Sequence, residues 1–137
     1  MIRWGAVIVM LSAGPSQAML QCTYYDELVG LAPVVIQIEN PTFTPPDAQG
    51  ICLVAGTVAR VFAGEVALGT QVVAMVPCVN VDGIAGPIIW TDPQALAAAR
   101  VIELHMDNPS IPAGYGAGIV LLDALTDTPA WKPMCDG

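Results

Sequence analysis

The 137-residue chain sets twelve Asp and Glu against four Lys and Arg, a formal charge of -8, and its composition is 55% hydrophobic. That balance leaves no basic track whose counterion release could drive binding to DNA or RNA, and it disfavours an anionic membrane surface equally. No nucleic-acid partner is expected.

Residues 1–18, MIRWGAVIVMLSAGPSQA, place Arg3 before an apolar run from Trp4 to Leu11 and end in small residues. This is the layout of a secretory signal peptide, and the run is far shorter than the ~20 residues of a spanning helix. Cys22 follows Met19-Leu20-Gln21, a poor lipid-attachment sequence. Cleavage after Ala18 leaves residues 19–137, enough for one domain, with Arg60, Arg100 and Lys132 as its only basic side chains and no transmembrane segment. The product is expected to be secreted or periplasmic.

Cys22, Cys52, Cys78 and Cys135 all lie beyond the cleavage site. An even count in an exported chain reads as two disulfides, whereas zinc prefers closely spaced pairs that are absent here.

In chain order, Asp26 to Leu31 reads as a helical turn and Ala32 to Ile38 as the first strand. Proline density makes 39–50 a loop. Cys52 to Gly64 and Gly69 to Cys78 are β-branched runs around a Gly-Glu turn, hence a hairpin. With that turn centred near Glu65 and Val66, Cys52 and Cys78 fall almost opposite one another, which favours that bridge and leaves Cys22 for Cys135. In the chain-entropy model the hairpin bridge contributes ~3 kcal/mol and the terminal one ~4.7 kcal/mol.

A Gly- and Pro-bearing loop then leads to a short helix, where Thr91 with Gln94 forms a capping-box pattern or Asp92 caps with Pro93 at the first helical position. The alanine run favours helix, and Arg100 suits its negative end. Val101 to Asp107 alternates as a strand, with Ile102, Leu104 and Met106 on one face and Val101, Glu103, His105 and Asp107 on the other. Loop 108–117 precedes a last strand, Gly118 to Leu125. Three strands, a helix and two strands follow the plan of a mainly β, five-stranded OB-like barrel with one short helix between strands 3 and 4. Gly56, inside the longest strand, suits a bend or bulge.

The series D-E-L-V from Asp26, A-P-V-V from Ala32, L-V-A-G-T-V-A-R-V-F-A-G from Leu53 and G-T-Q-V-V-A-M-V-P from Gly69 resembles the netrin-like and metalloproteinase-inhibitor-like OB barrels over residues 22–78. The second half is similar to small exported bacterial proteins and implies no particular activity. Inhibitors of that family chelate a target's zinc through a cysteine at the mature N-terminus, within C-x-C. Here Cys22 is followed by Thr23-Tyr24 and preceded by three residues, so that activity does not carry over.

Glu103, His105 and Asp107, sharing a strand face, are the candidates for a divalent-metal site, and His105 is the only histidine. The plainer reading is a solvated polar face. Ser110, the one serine beyond residue 18, has no nucleophile elbow around it. Gly114-Tyr-Gly-Ala-Gly118 joins strands where a nucleotide fingerprint would open a helix, and reads as a turn. Phe43 and Tyr115, in the loops that frame an OB ligand face, and Trp90 at the helix entrance are ligand-face candidates that also serve packing. The resulting expectation is a non-catalytic binding or interaction module for a protein, peptide or saccharide, with no cofactor. The alternative is a metal-binding protein using Glu103, His105 and Asp107.

Overall fold

The computed structural model describes residues 23, 26–83, 90–107, 114–133 and 135, with the side chains of 114–117 left out. The signal segment 1–18, Cys22 and most of loop 108–117 lie outside the described residues. The structure is mainly β: strands β1 (Val34–Thr44), β2 (Ile51–Ala63), β3 (Gln71–Pro77), β4 (Val101–Met106) and β5 (Gly114–Leu122) share one sheet, with a short helix α1 (Pro93–Ala98) between β3 and β4. β1 pairs antiparallel with both β2 and β4, β2 with β3, and β4 with β5. β3 meets β5 in parallel at Ala74 with Gly114 and Met75 with Tyr115.

The β2–β3 hairpin follows from its two β-branched runs, which alternate between faces as a pleated strand must. Its register pairs Ile51 with Pro77 and Thr57 with Gln71, centring the turn on Gly64 rather than on Glu65 and Val66. Gly64 has φ +93°, and a Cβ there would lie 2.9 Å from Val34 Cγ2, so glycine is required twice over. The shift of centre places Cys52 opposite Val76 and makes Cys78 its diagonal neighbour on the same face. The two are disulfide-bonded, with Cα atoms 5.9 Å apart.

Residues 39–44 are strand, not the loop their prolines suggest. β1 continues through Asn40-Pro41 as a bulge set against the single residue Gly56, between the pairs Glu39 with Thr57 and Thr42 with Ala55. Pro41 therefore sits where the ladder asks for no N–H, and Asn40 takes φ +50°. A Cβ on Gly56 would come within 3.1 Å of the Glu39 carbonyl oxygen, which is why the bulge faces a glycine.

One side of the sheet holds the core: Val34, Ile36 and Ile38 of β1, Cys52, Val54 and Val58 of β2, Val72, Ala74 and Val76 of β3, and Ile102, Leu104 and Met106 of β4. Leu96 of α1 joins this cluster. Of the two caps open to α1, the chain uses Asp92, whose Oδ1 accepts from Gln94 N at 3.1 Å, with Pro93 as the first helical residue. Arg100 stands beyond the helix, exposed, and donates its backbone N–H to Leu122 O. It belongs to the start of the β4–β5 ladder and not to the helix end.

β4 departs most from its sequence pattern. All its residues, Val101–Met106, are buried, so its second face is covered as well. The cover comes from both ends of the chain. A helical turn at 26–30 lays Val29 over Gly118, where a Cβ would meet Val29 Cγ2 at 2.7 Å. The segment 125–131 crosses the β1–β4 face, and Cys135 N donates to Asp26 Oδ2 at 2.7 Å, joining the two covering pieces. Cys135 is disulfide-bonded too. β5 starts at Gly114 and ends at Leu122, so Leu125 belongs to the covering segment and not to the last strand.

Candidate functional site

The pairing of β1 with β4 sets Gln37 opposite Glu103 and Val35 opposite His105. Gln37 and Glu103 are wholly buried and His105 is 3% exposed, so these polar groups must satisfy one another. Glu103 does so completely. Its Oε1 accepts from Gln37 Nε2 at 2.8 Å and from Ala130 N at 2.8 Å; its Oε2 accepts from Trp131 N at 2.8 Å and from His105 Nε2 at 2.9 Å. Gln37 in turn accepts from Thr126 N at 3.0 Å and donates to Thr126 Oγ1 at 2.6 Å. Thr126 Oγ1 donates to Thr128 O at 2.7 Å, which shapes the bend of the covering segment.

Burial alone pushes the Glu103 carboxyl up. The Ala130 amide, His105, Gln37 and the Trp131 amide together outweigh it and hold Glu103 below its ordinary value of 4.5. The group is ionised at neutral pH and can only accept, so His105 donates through Nε2. The Trp131 ring stands over His105 with centroids 5.7 Å apart and planes tilted by 56°. His105 Nδ1 is the buried side-chain polar atom without a hydrogen-bond partner among the described residues.

The three side chains expected to share a solvated face therefore part company. Glu103 and His105 form a buried pair, while Asp107 is exposed beyond the end of β4. Among the described residues no group of three or more His, Cys, Asp and Glu is arranged to hold a metal ion. What the pair does is fasten the C-terminal segment. Gln37, Thr126 and Trp131 complete this network and escaped the sequence reading. A signal for one of them was present: an amide inside the apolar run Val34-Val-Ile-Gln-Ile38 is a polar group destined for burial, and such a group needs partners.

The aromatic candidates belong to different elements. Phe43 lies on β1, half-buried and packed against the core, rather than in a loop. Trp90 is half-buried just before α1. The backbone of Tyr115 lies in β5 opposite Met75. A different surface emerges on the hairpin, on the side away from the core. There the cross-strand pairs Leu53 with Met75 and Ala55 with Val73 form an apolar block. Leu53 is 37% exposed, and the other three are half-buried. Thr42 and Thr44 of β1 flank the block, and Gln71 Nε2 donating to Thr57 Oγ1 at 2.7 Å closes its far end.

Among the described residues no helix is long and apolar enough to cross a membrane. Compared with protein-family models, with curated proteins and with solved structures, the chain matches none.

Proposed function

We propose that this chain is an exported interaction module without catalytic activity, an OB-like barrel of residues 19–137 stapled by disulfides and released outside the cytoplasm by removal of residues 1–18. The strand order β1-β2-β3-β5-β4, with β1 also paired to β4 and a short parallel contact between β3 and β5, supports the barrel. The buried Cys52–Cys78 bridge is consistent with an oxidising compartment.

The observation that carries the reading is the apolar block Leu53, Ala55, Val73 and Met75, rimmed by threonines and a glutamine, on the outer side of the hairpin. An apolar centre with a polar rim is how protein surfaces receive a protein or peptide. Glu103 and His105 contribute nothing to that face: Glu103 hydrogen-bonds the C-terminal segment, and His105 bonds Glu103 and packs against Trp131.

The test probes peptide and oligosaccharide arrays with the oxidised natural chain and with Leu53→Glu. Leu53 is exposed enough for glutamate to be tolerated by the fold. Binding by the natural chain that Leu53→Glu abolishes, with the circular dichroism spectrum unchanged, supports the module and its face. Binding that survives the substitution overturns the face, and an absence of any binder overturns the module.

A further inference from the structure

We propose that residues 125–131 form an acid-releasable clasp, which leaves the sheet as a unit when the Glu103 carboxylate is neutralised while the disulfide-stapled hairpin stays folded. The segment joins no strand ladder; the hydrogen bonds described between it and the sheet all run through Gln37 and Glu103. Asp127, Thr128 and Pro129 are exposed, while Leu125, Thr126, Ala130 and Trp131 are mostly covered, with Trp131 against the His105 ring, so apolar contact holds the clasp beside the hydrogen bonds. A segment outside every ladder, tied through two side chains, can open separately from the sheet it covers.

The balance at Glu103 makes opening a small difference between large terms. In the closed form the carboxylate is stripped of water and holds four donors; in the open form it regains water and keeps Gln37 and His105. Protonation removes the closed form's advantage, because a neutral carboxyl accepts weakly and carries a proton of its own toward one of the four donors. The clasp cannot drift away. It is continuous with Leu122, whose carbonyl accepts from Arg100 N, and at its far end Cys135 is disulfide-bonded and hydrogen-bonded to Asp26. Opening is a loop excursion that closes again.

Among the described residues the titratable groups around Glu103 are few. His105 is on its own strand, and Glu39 lies on the same face of β1 as Gln37. β5 sets Gly118 and Val120 opposite His105 and Glu103, without charge. The covering pieces bring Asp26 from the helical turn, and Asp127 and Lys132, both exposed, from the C-terminal segment. Because the folded value of Glu103 lies below 4.5, the clasp's stability is complete above that pH and is lost as pH falls through the folded value.

Hydrogen exchange of the full oxidised chain between about pH 3 and 7, corrected for intrinsic rates, tests this. In peptides covering 125–131 the opening constant should rise by up to about tenfold per pH unit below 4.5 and then level off, while β2, β3 and β4 keep their protection. Glu103→Gln should open the same peptides at neutral pH and abolish their pH response. Exchange of 125–131 in step with β4 at every pH, or an opening constant that ignores pH, overturns the clasp. So does a Glu103→Gln chain with natural protection at Ala130 and Trp131. If that variant fails to fold, the pH series on the natural chain decides alone.

Discussion

Replacing Gln37 with leucine keeps the size of the side chain and removes three hydrogen bonds: one to the Glu103 carboxylate, one to Thr126 Oγ1 and one from Thr126 N. The bond to an ionised group is worth about 1.5–3 kcal/mol and each neutral one about 0.5–1.5 kcal/mol, a gross loss of about 2.5–6 kcal/mol. Leucine buried at a wholly enclosed position returns about 1.5–3 kcal/mol through its apolar surface. The net expectation is a destabilisation of about 2 kcal/mol, read from urea unfolding of the oxidised chain at neutral pH as a lower midpoint at unchanged slope. Thr126→Val supplies the second arm of a double-mutant cycle, and the two changes should couple by at least about 0.5 kcal/mol because they break shared bonds. An unchanged midpoint, or strict additivity with Thr126→Val, would refute the claim that Gln37 helps hold the C-terminal segment.

Gly118→Ala should cost about 1–3 kcal/mol, since its Cβ would meet both Val29 methyls within 2.9 Å and valine has little rotamer freedom to yield. Thermal melting with amide exchange at 26–30 checks it, and a natural melting point would mean the helical turn is not docked on Gly118. Converting Cys52 and Cys78 together to alanine should lower stability by about 3 kcal/mol through the freed hairpin loop, measured by urea unfolding; a loss under about 1 kcal/mol contradicts the expected constraint on the unfolded chain. Zinc, calcium, manganese or copper should leave the melting temperature unmoved, because both Glu103 oxygens and His105 Nε2 are engaged and Asp107 stands apart in solvent. A metal binding at a hundred times its dissociation constant would add about 2.7 kcal/mol, and such a rise, erased by His105→Ala, would restore the metal reading.

Much of the framework was legible in local chemistry. Alternating β-branched runs specify the hairpin and bring Cys52 to the same face as Cys78, because a pleated strand sends every second side chain to one face, although the turn centres on Gly64 and not on Glu65 and Val66. Asp92-Pro93 ahead of the alanines marks the start of α1, because an N-cap and an N1 proline act within a single turn. Other features depended on partners. Pro41 reads as a loop residue until Gly56, on another strand, accepts the bulge. The alternation of β4 correctly sorted its side chains between two faces, but alternation alone does not say whether the second face meets water.

That last distinction separates what this sequence determines from what only the tertiary structure decides. Strand periods and helix starts arise from neighbours a few residues apart, and the chain carries them in plain view. The fate of Glu103 and His105 depends on Gln37 in β1, 66 positions away from Glu103, and on Ala130 and Trp131, 27 and 28 positions beyond it. No periodicity records that the C-terminal segment will cross this strand. The covering segment turns a polar face that looked solvated into a buried carboxylate with four donors, because a buried charge persists only where the fold delivers hydrogen bonds to it.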